Sequence, residues 1–263
     1  MSVEKTNLGP KPRLEFHPPT NLIIDDRYQR SVARDSGRRL IAKIVKEFHW
    51  PFFGVLVATD NGDGTYCLID GQHRAEAARQ HPHVHSVPVL VIDEMTLAEQ
   101  AQAFVAINQS RVRLNALQLH RAAVRAGDPH AVELDRITRE SGVEIPNNNL
   151  SSQNMRPGQT IAVKALSTIL KKYGAETLSN TLKTVMSAYG ETSGDLRSQI
   201  FAATAVAVSR HPDRCSAIAE KLGSSDSVTW QEFARDNAKF AGTSTAEALA
   251  HMLTSTLKPK AKL

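Results

Sequence analysis

Residues 66–78 read YCLIDGQHRAEAA, and this stretch decides the fold of the first half of the chain. A short apolar run ends in Asp-Gly at positions 70–71, and an alanine-rich helical pattern begins directly afterwards. Glycine lets the backbone turn sharply and come close to a ligand. The amides of Gln72, His73 and Arg74 are then the unpaired donors of a helix N-terminus, which attract anions. The pattern therefore predicts a strand, a glycine turn and a helix that together hold a phosphate.

Two basic side chains in the same turn favour this prediction. His73 and Arg74 place donors where a phosphate would sit, and charge-assisted hydrogen bonds suit phosphate oxygens. A cation in the first turn of a helix is repelled by the positive end of the helix dipole. An arginine at this position therefore indicates that an anion binds nearby and offsets the repulsion. We therefore expect Gly71, Gln72, His73 and Arg74 to bind phosphate.

Composition limits the class of protein. The chain has 263 residues, of which 41% are hydrophobic and 22% charged, as expected for one large or two ordinary globular domains. No apolar run reaches the length of a membrane span, and the first residues do not resemble a signal peptide. The two cysteines lie far apart and form no C-x-x-C pair. We expect a cytoplasmic protein, bacterial or from a phage-infected bacterial cell, with no membrane partner.

The net charge is concentrated in the C-terminal part. Residues 151–263 hold 14 Lys and Arg against 9 Asp and Glu, an excess that equals the net charge of the whole chain, +5. An excess of this size predicts DNA as a partner of the basic C-terminal half, although an ordinary solvated surface explains it equally well.

Hydrophobic periodicity predicts an α/β (α+β) fold, with a small mixed sheet in the N-terminal domain and an all-helical C-terminal domain. Asn115 is the predicted cap of one helix, and 61–64 the turn of a hairpin. The predicted strands are 22–24, 54–58, 65–69 and 87–92. The predicted helices are 36–48, 72–80, 96–107, 115–126, 159–173, 175–189, 195–210, 213–222, 229–240 and 244–257. The predicted organisation is a flexible arm (1–16), the sheet domain (17–126), a connecting segment (127–158), the helical domain (159–257) and a basic tail (258–263).

Three short motifs stand in a definite order in the first half. They are Tyr28-Gln29-Arg30, the DGQHR turn at 70–74, and Asn108-x-x-Arg111-x-x-Leu114-Asn115. In order and spacing they resemble the sequence motifs of the nucleotide-binding domain of the ParB/sulfiredoxin superfamily. Within that superfamily, they resemble most the DGQHR-type bacterial and phage proteins. The resemblance covers under half of the chain.

The resemblance implies a nucleotide site. Mg²⁺ with CTP or ATP would be the ligand, and Asn108 would lie near the metal. The residues it implies around the phosphates are Gly71, Gln72, His73, Arg74 and Arg111, with Gln29 and Arg30 closing the site. Local capping and pairing at the end of a helix explains Asn108 and Arg111 equally well.

Two positions depart from the family pattern. Ile107 stands where the hydrolytic Glu is expected, so efficient hydrolysis of nucleotide is not predicted. Gln72 stands where sulfiredoxin has its reactive Cys, and reduction of an oxidised cysteine needs a thiolate. Binding is therefore favoured over catalysis, and weak NTPase or nuclease activity is left open.

Asp70 has two interpretations. It is a candidate catalytic carboxylate or metal ligand, or it is the N-cap of the following helix, accepting from an amide two or three residues on. We expect the cap.

Residues 218–225 resemble the first helix and turn of a DNA-binding helix-turn-helix. A capping box formed by Thr229 and Glu232 predicts that the next helix starts near 229, which makes the turn too long for that motif. We expect an ordinary helical bundle here, which could serve as a homodimer surface.

Three functions remain open at this point. The leading one is a nucleotide-binding ParB-like protein, associated with DNA, in which the nucleotide acts as a conformational ligand. The second is a metal-dependent nuclease or ATPase that uses Asp70 with His73 in the DGQHR turn. The third is an interaction module that binds no nucleotide. The chain contains no G-x-G-x-x-G, G-x-x-x-x-G-K-[ST] or G-x-S-x-G pattern, so the dinucleotide, P-loop and hydrolase classes have no support.

Overall fold

The structure is a computed structural model that describes residues 11–25, 27, 35–110, 114–147, 150–151 and 154–255. The chain divides into two compact units, Met1–Arg113 and Leu114–Leu263. The first holds a mixed sheet with helices and the second is helical, which confirms the predicted α/β class and the order of its two parts.

The first unit contains five strands and four helices among the described residues. The strands are β1 (Arg13–His17), β2 (Leu22–Ile23), β3 (Leu56–Asp60), β4 (Tyr66–Asp70) and β5 (Val87–Ile92). The helices are α1 (Asp35–Lys46), α2 (Trp50–Phe53), α3 (Gln72–Gln80) and α4 (Leu97–Gln109).

The sheet has the strand order β1-β5-β3-β4-β2. β1 pairs antiparallel with β5 and β3 antiparallel with β4, whereas β3 with β5 and β2 with β4 are parallel pairs. The mixed sheet is thus confirmed. Alternate residues of β5 are buried, because one face of the sheet packs into the core of this unit.

The strand β1 corrects the predicted flexible arm at 1–16. Arg13–His17 forms an edge strand, and its apolar residues Leu14 and Phe16 stay exposed. The strand forms because β5 offers backbone partners along its whole length. The alternation of Leu14 and Phe16 with polar residues was the available signal.

Two further differences concern the predicted helix at 36–48. The helix α1 ends at Lys46, and a separate turn of helix, α2, follows at Trp50–Phe53. Pro51 lies in the first turn of α2, where a residue needs no backbone N–H to donate within the helix. The proline therefore suits the start of this short helix.

The second unit contains seven helices among the described residues. They are α5 (Ala116–Arg125), α6 (Pro129–Glu140), α7 (Val163–Tyr189), α8 (Ser198–Arg210), α9 (Cys215–Gly223), α10 (Ser227–Ala241) and α11 (Thr245–Thr254). Gly174 interrupts α7 at φ +83°, which matches the two helices predicted on either side of it.

The helix α5 lies with the second unit, whereas the sequence placed 115–126 in the sheet domain. Asn115 caps it as predicted, accepting from the amide of Gln118 at 2.9 Å. Leu117 packs with Leu134 and Leu166 in the core of the helical unit. The cap depends only on neighbouring residues. Which unit contains α5 depends instead on which hydrophobic core the apolar face of α5 packs against.

The helix α6 occupies part of the predicted connecting segment at 127–158. Asp128 caps it by accepting from the amide of Ala131 at 2.8 Å, and Pro129 follows in the first turn. Aspartate before proline is a strong signal for the start of a helix, and the sequence interpretation did not use it. None of the helices in the described part of the chain is long and apolar enough to cross a membrane.

Candidate functional site

The turn between β4 and α3 depends on Gly71. Its φ is +96°, which L side chains rarely adopt. A Cβ added there would lie 2.4 Å from Cδ2 of Leu56, far inside van der Waals contact. α3 begins at Gln72, as the sequence predicted, and β4 ends at Asp70, one residue beyond the predicted strand 65–69. Both the backbone conformation and the lack of space therefore require glycine here.

The first amides of α3 precede the hydrogen-bond ladder of the helix. Gly71 is the N-cap, and its carbonyl accepts from the amide of Ala75 at 2.9 Å. No described side chain caps the amides of Gln72 and His73. Together with the N-terminal end of the helix dipole, these amides form an anion-binding arrangement.

The guanidinium of Arg74 lies in the wall of this site and already has acceptors. Nη1 donates to the carbonyls of Phe53 at 2.8 Å and Val55 at 3.1 Å, and Nη2 donates to Oδ2 of Asp70 at 3.0 Å. A Cβ at Gly54 would lie 2.9 Å from Nη1, so the backbone approaches closely there. Arg74 thus ties the segment 53–55 to the start of α3.

Asp70 is not the N-cap of α3, so that prediction is wrong. The carboxylate accepts from Arg74, four residues on, and the residue is only 9% exposed. A buried carboxylate needs a paired cation, because removal from water is costly for an isolated charge. As the last residue of β4, Asp70 points its side chain at the guanidinium and leaves the cap to Gly71.

A cleft of about 300 Å³ joins the glycine turn to α4. It brings the turn together with Asn108, as the motif order predicted. Its lining residues are Leu40, Ile44, Ile69, Asp70, Gly71, Gln72, His73, Arg74, Phe104 and Asn108.

Two of the residues that line this cleft, Gln72 and Asn108, have amide side chains. Oε1 of Gln72 is buried and has no hydrogen-bond partner in the described part of the chain. Nδ2 of Asn108 donates to the carbonyl of Phe104 at 2.8 Å, which turns this amide nitrogen back onto its own helix. An unpaired buried acceptor destabilises a protein, so Oε1 of Gln72 is an unfavourable feature of this turn.

The amide oxygen of Asn108 fits a magnesium ion that comes with a nucleotide. Mg²⁺ keeps several waters and takes only one or two protein oxygens when phosphates supply the others. Among the described residues there is no group of three His, Cys, Asp or Glu side chains placed to hold a metal.

Three of the predicted site residues, Gln29, Arg30 and Arg111, lie outside the described residues, as does Tyr28. The structure describes the glycine turn and Asn108. The roles of Gln29, Arg30 and Arg111 stay predictions, and so do the phosphate contacts of the turn.

The segment between α9 and α10 differs from its prediction. Asp226 caps α10, accepting from the amides of Val228 at 2.8 Å and Thr229 at 2.9 Å, so the expected capping box at Thr229 is wrong. The hydroxyl of Thr229 donates to the same carboxylate. The turn is only three residues, 224–226, which is short enough for a helix-turn-helix.

Buried side chains hold this turn in place. The hydroxyl oxygen of Tyr189 lies 2.8 Å from the carbonyl oxygen of Leu222 and 2.7 Å from that of Ser225, so its single proton is shared between these two acceptors. Nε1 of Trp230 donates to the same carbonyl of Leu222 at 2.7 Å. Burial raises the pKa of Tyr189 well above its ordinary value. The turn length is therefore set by tertiary hydrogen bonds.

Taken together, these features define an α/β protein whose first unit has a small mixed sheet with a glycine turn at the start of α3, and whose second unit is helical. Residues 24–213 match a family model described as "Family of unknown function (DUF6551)", and the chain belongs to this family. No curated protein matches it significantly.

Two solved structures are similar to the chain. One is the C-terminally truncated chromosome-partitioning protein ParB from Caulobacter crescentus complexed with CTP-gamma-S, with 15% sequence identity and a TM-score of 0.40, covering 75% of this chain and 97% of that chain. The other is the C-terminally truncated ParB from the same organism complexed to the centromeric parS site, with 16% identity and a TM-score of 0.30, covering 90% and 97% respectively.

Proposed function

We propose that this protein binds a nucleoside triphosphate, CTP or ATP, in the cleft at the start of α3. One observation carries the proposal. A glycine turn at φ +96°, a conformation that L side chains rarely adopt, places the N-terminus of α3 in a cleft that also contains Asn108. The DGQHR and Asn108 motifs, which resemble the boxes of a nucleotide-binding superfamily, meet in this cleft.

The amides of Gln72 and His73 are proposed to bind the phosphates, with the imidazole of His73 as an additional donor. Arg74 contributes positive potential from the wall, while its hydrogen bonds to Phe53, Val55 and Asp70 keep the turn in shape. The donors proposed for the phosphates are thus the backbone amides at the start of α3 and the imidazole of His73.

Magnesium is proposed to arrive with the nucleotide and to take the amide oxygen of Asn108 as a protein ligand. The metal would neutralise phosphate charge. Ile107 precedes Asn108, where the resemblance expects a hydrolytic Glu. We therefore propose a nucleotide that acts as a conformational ligand, not one that is rapidly hydrolysed.

The nuclease alternative is less favoured by the geometry. Asp70, its candidate catalytic residue, is buried and paired with Arg74. Metal-dependent cleavage usually relies on several carboxylates around the metal, and the described residues contain no such group.

DNA association belongs to the same proposal. Its support is the charge excess of residues 151–263 and the exposed lysines of α7, which are Lys164, Lys171, Lys172 and Lys183. Such an interaction would weaken steeply as the salt concentration rises, because bound lysines release counterions from the phosphate backbone.

Nucleotide binding is tested by calorimetric titration of the full chain with CTP, ATP and GTP, with and without Mg²⁺. His73→Glu places a negative charge at the phosphate position and should weaken binding at least tenfold. The matched control is Gln102→Glu, which adds the same charge to an exposed position of α4 that does not line the cleft. The proposal fails if the wild type binds none of the nucleotides, or if His73→Glu binds as tightly as Gln102→Glu.

A further inference from the structure

A second cavity of the first unit adjoins the cleft at the start of α3. It has a volume of about 270 Å³ and is lined mainly by α1, by α2 and by the segment between these helices. Three of its lining residues, Leu40, Ile44 and Arg74, also line the cleft at the glycine turn. Because the two cavities share part of their wall, one ligand with two chemically different ends can occupy both.

Rings dominate the lining of this second cavity, which we call the aromatic cavity. Phe48, His49, Phe52 and Phe53 all line it. The ring centroids of Phe48 and Phe53 lie 5.2 Å apart, and those of His49 and Phe52 lie 4.9 Å apart. Phe53 is buried, whereas Phe52 is 83% exposed, so its ring is open to a ligand. Such a surface suits a flat ring that stacks on it.

The charges of the aromatic cavity favour an uncharged group. Nζ of Lys43 lies 3.8 Å from Oε2 of Glu47, and Arg74 donates to two backbone carbonyls and to Asp70. The lysine and the arginine of the lining therefore already have acceptors. The amides at the start of α3, which no described side chain caps, belong to the other cleft. An anionic group is thus directed to the glycine turn, and an uncharged ring to the aromatic cavity.

We propose that the aromatic cavity holds the base of the nucleotide and favours a purine. This inference rests on the proposed function, because the phosphates must lie at the glycine turn for the base of the same molecule to enter this cavity. Bases stack on aromatic side chains through their ring faces. The two fused rings of a purine cover more aromatic surface than the single ring of a pyrimidine, so ATP should bind more tightly than CTP. Phe52, the most exposed phenylalanine of the lining, is the specificity-determining residue.

The test is calorimetric titration of the full chain with ATP, CTP and inorganic tripolyphosphate, each with Mg²⁺. Wild type should bind ATP at least about threefold more tightly than CTP, and Phe52→Ala should weaken ATP binding about tenfold. The same variant should leave the affinity for tripolyphosphate unchanged, because that ligand has no base. Phe52→Tyr keeps the ring and should bind ATP like the wild type. The matched control is Phe240→Ala, which removes a phenylalanine that is 97% exposed in the second unit and should change none of the three affinities.

The two parts of the ligand are tested separately. His73→Glu should weaken the binding of ATP and of tripolyphosphate alike, whereas Phe52→Ala should weaken only the nucleotide. The inference is overturned if Phe52→Ala binds ATP as tightly as the wild type, if it weakens ATP and tripolyphosphate equally, or if CTP binds as tightly as ATP. In each of these cases the proposed phosphate site stands as long as the wild type binds tripolyphosphate. If the wild type binds none of the three ligands, the proposed function fails and this inference fails with it.

Discussion

Two short segments turn the chain sharply into a helix, and they differ in what holds the turn. At Gly71 the turn is held by the residue itself, because only glycine adopts φ +96° against Leu56. At 224–226 the turn is held from a distant helix by the hydroxyl of Tyr189, and the indole of Trp230 in α10 also bonds to the carbonyl of Leu222. The sequence predicted the start of α3 to the residue but misplaced the start of α10. A turn that depends on one residue type can be recognised locally, whereas a turn that depends on distant donors cannot.

The largest expected effect is at the first turn. Gly71→Ala should lower the free energy of unfolding by about 4 kcal/mol, since it combines an unfavourable φ with a steric clash. Gly64→Ala is the matched control, because Gly64 also has a positive φ, +85°, but nothing lies within 4 Å of its added Cβ. That variant should lose only about 1 kcal/mol. Equal losses in urea unfolding would show that the contact with Leu56 does not matter.

The pairing of Arg74 with Asp70 should matter almost as much. Arg74→Leu leaves a buried carboxylate without its cation and should cost about 3 kcal/mol in unfolding free energy. Arg136→Leu breaks an ion pair of the same four-residue spacing, with Glu140, but at an exposed site. It should cost no more than about 0.5 kcal/mol. If the two variants unfold at the same urea concentration, Arg74 has no architectural role and is available for phosphate alone.

The second turn should respond to the loss of one hydroxyl. Tyr189→Phe leaves the carbonyls of Leu222 and Ser225 without this donor and should cost about 1.5 kcal/mol. Because burial raises the pKa of Tyr189 in the folded state, the protonated phenol stabilises the fold below the ordinary tyrosine pKa of about 10. The wild type should therefore lose stability as the pH rises above that value. Tyr189→Phe should show a smaller loss over the same alkaline range, and an identical loss would contradict the assignment.

The smallest expected effect concerns the cap of α10. Asp226→Ala should cost about 1 kcal/mol, because the amides of Val228 and Thr229 lose their acceptor. Thr229→Ala should cost less than about 0.5 kcal/mol, because its hydroxyl only donates to the capping carboxylate. If thermal melts showed that Thr229→Ala destabilises the protein more than Asp226→Ala, the predicted capping box at Thr229 would be supported instead.

The candidate site shows the same division between local and distant causes. The sequence located the glycine turn, the first residues of α3 and, through the motif order, the meeting of that turn with Asn108. It did not reveal that Arg74 is bonded to Phe53 and Val55, since those acceptors lie about twenty residues earlier in the chain. Nor did it reveal that Asp70 serves this arginine instead of capping the helix.

By itself, the sequence determined the elements whose causes are local. The bounds of α3 and β5, the hairpin between β3 and β4, and the break of α7 at Gly174 follow from glycine handedness and hydrophobic periodicity. Only the tertiary structure decided the edge strand β1 and the inclusion of α5 in the helical unit. Each of these depends on a partner far away in the chain: the backbone of β5 for the strand, and the core around Leu134 and Leu166 for the helix. A residue pattern specifies which face of an element is apolar, but the surface that covers that face exists only after the chain has folded.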